Sequence, residues 1–400
     1  FYIEFTSPVN VDIYISKEIG KYKIISPDTG IDLTRVFCKI QQAQIQICPP
    51  GKHWSDQYNK CILVVPPKCP QGEHYDYIQE KCISDISQPT GKVKILAFGD
   101  NDVTRDSKDV LTALMKEENV SLYAHVGDGP YSKKGNTWVT MMKKYIDDIK
   151  FKNFMMSRGN HDCNGSEANQ TQADIEDWLV HYKEPSITDI KKIRNNTWLE
   201  SRQIGNIYVI NMDSEDLEVN FERNQYQWVL AELAKAKQLR IEGKIDWIVI
   251  LFHRPFFTLK SSHSPETSVR FMYIKPFQDA GVDFIIHGHN HNTQLWYPMI
   301  PNESKENGEG TQLFSYAVDG KTFDFNKAHG WLIIITGHGG HEWNEINDTG
   351  DGVKNVMWYG DGTVGTKKYG YTCLEFDGKK AHIMSKDTAN KIVYEYKVVK

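Results

Sequence analysis

The sequence lacks any apolar run long enough to cross a membrane. The longest candidates, such as residues 247–252, have the length of a buried strand, whereas a transmembrane helix needs about 20 apolar residues. The sequence also lacks an excess of basic residues, because 47 Lys and Arg face 52 Asp and Glu and the formal net charge is −5. We therefore expect no transmembrane segment and no dedicated nucleic-acid-binding surface.

The chain has no initial Met, and its first residues show no signal-peptide pattern, so we interpret residue 1 as a processed end.

Cysteine is scarce after residue 90, where only Cys163 and Cys373 occur among the seven of the chain. The asparagines of Asn-X-Ser/Thr sequons are Asn119, Asn164, Asn169, Asn195, Asn302 and Asn347. Together with the cysteine-dense start, these glycosylation candidates predict the secretory pathway and an extracellular, cell-surface or lysosome-like location.

Residues 48–61 and 69–82 form an internal repeat. Both units open with Cys-Pro-X-Gly-X-His-aromatic and close with Lys-Cys at the same spacing. Units this short bury too little apolar surface to fold by packing alone, so we expect a disulfide within each unit. The candidate cysteines are Cys48, Cys61, Cys69 and Cys82. Metal binding through His53 and His74 is the alternative, although the tight C-x2-C spacing of structural zinc sites is absent. An extracellular protein or a glycan is the partner that we expect for the repeats.

Residues 84–91 are polar and turn-forming, so we place a boundary there between a β-rich and Cys-rich region, residues 1–90, and a larger domain, residues 91–400. Strand-like and amphipathic helical segments alternate in the larger domain. The predicted strands are 93–98, 120–126, 153–156, 207–211, 247–252, 284–286 and 331–336, and the predicted helices are 109–118, 138–149, 175–181 and 225–238. Residues 371–397 predict a closing β-meander. This pattern is typical of an α/β fold, most simply a two-sheet β-sandwich flanked by helices, with a small disulfide-rich N-terminal region.

Five of the predicted strands end in side chains that can bind metals. Loops at the carboxyl ends of strands in α/β sheets meet at one crevice, and imidazole and carboxylate groups are common metal ligands. The candidate ligands are Asp100, Asp128, Tyr131, Asn160, His253, His289 and His291. Any single Gly-Asp after a strand is more often a turn than a ligand. Five such strand ends in order supply enough ligands for two metal ions.

The blocks Gly99-Asp100, Gly127-Asp128-X-X-Tyr131, Gly159-Asn160-His161-Asp162, His253 and Gly288-His289-X-His291 resemble those of the calcineurin-like metallophosphoesterases. Tyr131, three residues after Asp128, is typical of the purple (tartrate-resistant-type) acid phosphatase branch. The resemblance covers about residues 92–400 and leaves out the repeats. It implies that Asp128 bridges two metals, which Asp100, Tyr131 and His291 complete on one side and Asn160, His253 and His289 on the other. It also implies that His161 stabilises the phosphoryl group or protonates the leaving oxygen.

The ligand types predict which metals would bind. A phenolate and carboxylates suit Fe(III), whereas the imidazole-rich second site suits Fe(II), Zn(II) or Mn(II). Two cations about 3.5–4 Å apart can neutralise a phosphate and activate a water for in-line attack. We therefore expect a secreted dinuclear metal phosphatase that hydrolyses phosphate monoesters at acid pH. The alternatives are an extracellular scaffold glycoprotein with a phosphatase fold and little or no catalysis, and a phosphodiesterase of the same superfamily.

Four further residues are candidates for supporting or substrate-contacting roles. Asp102 stands where the purple branch usually has glycine, and it is either a turn-capping carboxylate or an extra carboxylate beside the first metal. His338 and His341 follow a strand and either contact the substrate or pack their own loop. Asp162 closes the Gly-Asn-His-Asp block. We interpret Cys163, the next residue, as a structural cysteine rather than a nucleophile.

Overall fold

The computed structural model describes residues 92–131, 135–162, 168–181, 198–215, 224–259, 261–300, 322–325, 330–346, 356–360 and 368–400, together with short strands elsewhere. The chain divides into two compact units, Phe1–Ser87 and Gln88–Lys400. This division falls within residues 84–91. Among the described residues, no helix combines the length and the apolar character that a membrane span requires.

The described residues of the first unit form three antiparallel strand pairs. They are β1 (Asp12–Ile15) with β2 (Tyr22–Ile25), β3 (Lys52–Ser55) with β4 (Lys60–Leu63), and β5 (Glu73–Asp76) with β6 (Lys81–Ser84). The two sequence repeats therefore fold alike, with Cys61 opposite Trp54 in one and Cys82 opposite Tyr75 in the other. Cys48 and Cys69 lie outside the described residues, so the disulfide pairing stays a prediction.

The second unit carries the larger fold. In chain order its elements are β7 (Val93–Phe98), α1 (Arg105–Leu114), β8 (Leu122–His125), α2 (Gly135–Met142), α3 (Asp148–Phe151), β9 (Phe154–Met156), α4 (Ala168–His181), β10 (Glu200–Ile204), β11 (Ile207–Asn211), α5 (Asn224–Ile241), β12 (Trp247–Leu251), α6 (Thr267–Ala280), β13 (Phe284–His287), β14 (Thr293–Trp296), β15 (Met299–Ile300), β16 (Gln312–Leu313), β17 (Thr322–Asp324), β18 (Leu332–Thr336), β19 (Val356–Gly360), β20 (Gly370–Asp377), β21 (Lys380–Asp387) and β22 (Ile392–Val399). A single 3-10 turn, Asn160–Asp162, follows β9.

Fourteen of these strands form two seven-stranded sheets, and β15 pairs with β16 in a separate two-stranded sheet. The first sheet has the order β10-β11-β12-β13-β18-β14-β19, and the second has the order β17-β22-β21-β20-β7-β8-β9. Strands β11, β12, β13 and β18 are parallel in the first sheet, as are β7, β8 and β9 in the second. The strands β20, β21 and β22 are the predicted closing meander. Parallel neighbours end at the same edge of their sheet, so the loops that carry the candidate ligands gather there.

The sheets pack face to face because alternate side chains on their strands are apolar and point inward. Buried residues shared between the two sheets include Ile95, Ala97, Leu122, Val209, Val249, Ile286, Ile334 and Leu374. The opposite face of the first sheet packs on α5 and α6, for example through Leu233 and Phe277. The opposite face of the second sheet packs on α1, α2 and α4, for example through Leu111 and Trp178. The predicted two-sheet sandwich flanked by helices is confirmed.

Some elements differ from the prediction. The helix expected over 138–149 is divided into α2 and α3, because the side chain of Asp147 accepts the backbone N–H of Lys150 and starts a new helix. Helix α6 was not predicted, since Pro276 lies inside it and proline normally interrupts a helical pattern. Strands β10, β14 and β19 were also missed.

Candidate metal centre

The structure brings all seven predicted ligands to one place. Strands β7, β8 and β9 of the second sheet lead to Asp100, Asp128 and Asn160, while β12 and β13 of the first sheet lead to His253, His289 and His291. Tyr131 follows Asp128 on the same loop. The centre is therefore assembled from both sheets at the edge where their parallel strands end.

The first group of donor atoms lies around Tyr131. One ligand atom from each of Asp100, Asp128 and His291 falls within 4.8 Å of the others. The phenol oxygen of Tyr131 lies 3.0 Å from Asp100 Oδ1, 3.0 Å from Asp128 Oδ2 and 2.9 Å from His291 Nε2. Four donors thus converge on one point.

The second group lies around His253. Asp128, His253 and His289 also place ligand atoms within 4.8 Å of one another. The Nε2 atom of His253 is 3.2 Å from Asp128 Oδ2, 3.1 Å from His289 Nδ1 and 3.2 Å from Asn160 Oδ1. Asp128 belongs to both groups, so its carboxylate stands between them.

The backbone of the centre is unusual. Asp100, Asp128 and His289 have positive φ angles of 56°, 57° and 71°. Non-glycine residues rarely adopt this left-handed region, and such outliers concentrate at functional sites. Gly159 is needed for a different reason, since a Cβ atom there would lie 2.1 Å from Asp128 Oδ1.

Two contacts orient the candidate ligands. The buried carboxylate of Asp162 accepts backbone N–H groups from Asp128 (3.0 Å), Gly129 (2.9 Å) and Gly159 (2.7 Å), and so ties the β8 loop to the β9 loop. The Nδ1 atom of His253 lies 2.9 Å from the Val126 carbonyl oxygen. Because Nδ1 must be the donor to a carbonyl, Nε2 is the ring atom that faces the centre, where it can bind a proton or a metal ion.

The charges of the centre fit cations. The side chains of Asp100 and Asp128 have exposed fractions of 0% and 1%, and histidines are their neighbours. Burial raises the pKa of Asp100 to about 8, with help from the charge of Asp128. Burial lowers the pKa of His253, but the two carboxylates outweigh it and raise this pKa to about 10. The pocket thus favours positive charge between its ligands, and the carboxylate, phenol and imidazole donors suit transition metals.

Residues 82–293 match the family of calcineurin-like phosphoesterases, and this range is more than half of the chain. The chain belongs to the calcineurin-like phosphoesterase family. The resemblance expected from the strand-end blocks is confirmed.

Relatives of this phosphoesterase include purple acid phosphatases. Purple acid phosphatase 22 of Arabidopsis thaliana is 25% identical over 154 residues, which are 34% of this chain and 35% of the relative. The structure of purple acid phosphatase PPD1 from yellow lupin (Lupinus luteus) seeds has a TM-score of 0.59 and 14% identity, and the match covers 82% of this chain and 58% of PPD1. Plasmodium GAP50, the anchor in the inner membrane complex, has a TM-score of 0.51 and 13% identity over 77% of this chain and 89% of GAP50. The match spans about a third of the Arabidopsis relative, and the two structural similarities show the fold alone.

Three further histidines of the phosphoesterase domain border the centre. The ring of His341 stacks on Tyr131, and the ring of His161 lies tilted beside Tyr131. The ring of His263 lies tilted beside His289, with ring centroids 4.1 Å apart. All three side chains are partly exposed. His263 was missed from the sequence because it lies in a Ser-Ser-His-Ser loop and does not follow a strand.

The remaining candidates lie as follows. His338 is buried, with Nδ1 3.4 Å from Thr336 Oγ1 and Nε2 3.3 Å from Ser385 Oγ, so it packs its loop against β21 and has a structural role. Asp102 is buried and accepts the N–H of Val103 at 2.7 Å, and neither ligand group includes it. The contact is consistent with the turn-capping interpretation.

The glycosylation candidates lie mainly outside the described residues. Asn119 is exposed, at the end of the segment after α1. The side chain of Asn169 is not described, and Asn164, Asn195, Asn302, Asn347 and Cys163 lie outside the described ranges. Glycosylation stays a prediction.

Proposed function

We propose that this chain is a dinuclear metal-dependent phosphatase that hydrolyses phosphate monoesters. One observation carries the proposal: the carboxylate of Asp128 belongs to two separate groups of ligand atoms. A shared carboxylate between two such groups is what a two-metal phosphoesterase needs. The phenol of Tyr131 and the carboxylate of Asp100 favour Fe(III) in the first group, and the imidazoles favour Fe(II), Zn(II) or Mn(II) in the second.

When bound, the two ions supply charge neutralisation at the phosphate and lower the pKa of a water. The protein contributes the geometry. Asp162 fixes the loops of Asp128 and Gly159, and the Val126 carbonyl fixes the ring of His253. These contacts hold the donor atoms before any ligand arrives, so little reorganisation is needed.

His161 is the residue that we propose as the proton donor to the leaving ester oxygen. Its backbone N–H donates to Asp128 Oδ1 at 2.8 Å, and its imidazole is partly exposed beside Tyr131. In the proposed reaction, a water oxygen forms a bond to phosphorus as the bond to the ester oxygen breaks. His161 gives a proton to that leaving oxygen, so the products are an alcohol and inorganic phosphate.

We also propose a secreted glycoprotein that works at acid pH, in an extracellular, cell-surface or lysosome-like compartment. The exposed sequon at Asn119 and the cysteine-dense first unit support this location. A trivalent ion in the first group would lower the pKa of water more than a divalent ion does, which supports the acid optimum.

The first test is the metal content of protein purified from its source without chelators. About two ions per chain, at least one of them iron, are expected. Hydrolysis of a chromogenic phosphate monoester should exceed hydrolysis of the matching diester. Asp128→Asn should lose both ions and the hydrolysis, while Asp109→Asn, at an exposed position of α1, should keep them. Wild-type protein with one ion or none would overturn the dinuclear mechanism.

A second candidate function is an extracellular scaffold with little catalysis. The observation that favours it is the pair of alike hairpins, β3-β4 and β5-β6, which lie outside the phosphoesterase fold. We propose that they bind an extracellular protein or a glycan. Protein that holds two metals but hydrolyses neither ester would favour this function.

A further inference from the structure

The phenol ring of Tyr131 lies between two histidines. The centroid of the His341 ring is 3.6 Å from that of Tyr131, with an interplanar angle of 10°, and the centroid of His161 is 4.2 Å away at 37°. Two rings this close to one phenol would overlap if they shared a face, so they cover opposite faces. The ring of His291 is nearly perpendicular to that of Tyr131, with ring centroids 5.3 Å apart.

Hydrogen bonds hold the loop of His341 in place beside Tyr131. Its backbone N–H donates to the Asp100 carbonyl oxygen at 3.1 Å, and the N–H of Asn344 donates to the His291 carbonyl oxygen at 3.0 Å. Gly339 packs so closely that a Cβ atom would lie 2.1 Å from the Gly99 carbonyl oxygen. The loop is therefore fastened to the same two segments that deliver Asp100 and His291.

The two supporting histidines differ in what else they face. The loop of His161 belongs to the β9 end, where the proposed substrate binds. The ring of His341 lies nearly parallel to Tyr131 and makes an edge contact with His291, 5.0 Å between centroids. His341 thus contacts two members of the first ligand group through its ring, and neither of the donor groups includes it.

We propose that His341 is a positioning residue that holds the phenol of Tyr131 in the orientation needed for the first metal site. This inference rests on the proposed function, because it assigns Tyr131 to a metal. A phenol can rotate about two side-chain bonds, and a parallel ring on one face restricts that rotation. With the ring held, the phenol oxygen stays at 3.0 Å from both Asp100 and Asp128. Residues that orient a ligand from outside the coordination sphere commonly affect metal affinity about 10-fold to 100-fold.

The test uses the full chain, four variants at positions 341 and 342, and one further variant for assignment. His341→Ala and His341→Gln remove the aromatic ring, His341→Phe keeps a flat ring, and Glu342→Ala changes the exposed neighbouring residue as the matched control. Two quantities are measured. The first is the fluorine NMR resonance of Tyr131 in metal-free protein labelled with 3-fluorotyrosine, assigned with Tyr131→Phe. The second is the affinity for Fe(III), with the affinity for Zn(II) as an internal reference for the second ligand group.

We expect His341→Ala and His341→Gln to shift the Tyr131 resonance and to weaken Fe(III) binding about tenfold, with Zn(II) binding retained. His341→Phe should restore most of the wild-type Tyr131 resonance position and most of the Fe(III) affinity. Glu342→Ala should match wild type in both quantities. Should the ring-free variants bind Fe(III) like wild type, the positioning role is wrong while the proposed function stands. Loss of Fe(III) binding in His341→Phe equal to that in His341→Ala also overturns it, since the ring would not be the cause. Wild-type protein that binds neither ion overturns the proposed function and the assigned role together.

Discussion

The carboxylate of Asp162 accepts the backbone N–H of Asp128 at 3.0 Å. The two acidic residues therefore lie side by side but have different roles. The carboxylate of Asp128 faces the candidate metal site, and that of Asp162 accepts hydrogen bonds from the backbone. Because Asp162 also binds Gly129 and Gly159, it fixes where the Asp128 carboxylate points.

Replacing Asp162 by Asn should weaken metal binding without removing a ligand. The amide keeps the size but presents one acceptor oxygen where the carboxylate presents two, so at least one buried N–H loses its partner. We expect metal affinity to fall about 10-fold to 100-fold, and the free energy of unfolding to fall by about 1–3 kcal/mol. Calorimetric metal titration and urea unfolding measure the two effects. Asp147→Asn, at the exposed N-cap of α3, serves as the control, and an equal loss of affinity there would count against the role of Asp162.

Metal-free protein should become less stable as the pH rises from about 6.5 to about 8. At lower pH, buried histidines such as His287 and His338, whose pKa values burial lowers to about 3, act in the opposite direction. Asp100 has a pKa raised to about 8, so its folded form keeps a proton that the unfolded chain releases, and this contribution is lost between the unfolded pKa of 3.8 and about 8. His253, with a pKa raised to about 10, contributes stability that is complete below 6.5 and is lost as the pH rises toward 10. Above pH 6.5, where the other histidines are neutral in both states, these two effects have the same sign, and their sum is on the order of a few kcal/mol.

Melting temperatures of chelated protein from pH 6.5 to pH 8 test this prediction. The metal-loaded protein should change little over this range, because bound cations replace the protons. Asp100→Asn should make the fall in melting temperature of the chelated protein smaller. A chelated wild type that gains stability as the pH rises from 6.5 to 8 would contradict the assignment.

Glu117 should stabilise the fold down to mildly acid pH. Burial raises its pKa, but hydrogen bonds from Lys386 and from Lys94, the latter at 3.0 Å, outweigh burial and lower the pKa below the ordinary 4.5. Its stabilising contribution is therefore present above about pH 4.5 and disappears as the pH falls through the lowered pKa. Glu117→Gln should cost about 2 kcal/mol at pH 7 and progressively less below pH 4. Chemical denaturation at both pH values measures this, with the exposed neighbour Glu118→Gln as the control.

Cys373 should resist alkylation in the folded protein. It is a free cysteine with an exposed fraction of 0%, and burial raises the pKa of its thiol to about 12. The thiolate, which is the reactive form, is therefore nearly absent at neutral pH. Mass spectrometry after iodoacetamide treatment should find Cys373 unmodified in native protein and modified in urea. Rapid labelling of Cys373 in native protein would contradict its burial in β20.

The sequence predicted the ligand set because its signal is local. Asp100, Asp128 and His253 each directly follow a strand-like apolar run or its closing glycine, and the convergence of strand ends is a general property of α/β sheets. The same reasoning placed most strands of both sheets. Their pairing order was not predictable, since strands such as β14 and β19 join the first sheet from distant parts of the chain.

Other features depend on tertiary structure and left little trace in the sequence. His263 lies in the loop between β12 and α6, and its ring comes close to His289 only in the folded chain. The proline of α6 concealed that helix. The difference between His338 and His341 is likewise invisible from spacing, because the turn of their loop decides which ring is buried. Asp100 and Asp128 have positive φ angles. Aspartate adopts this region more readily than most residues, but that preference alone does not say which aspartates of the sequence do so.

The assembly of the centre from both sheets has a mechanical consequence. Asp128 follows a strand of the second sheet, and His253 and His289 follow strands of the first. Ions bound among these residues would therefore cross-link the two sheets. Pulling the two sheets apart would then require breaking coordination bonds as well as separating apolar faces. The force needed to separate the two sheets would therefore rise and fall with the supply of metal.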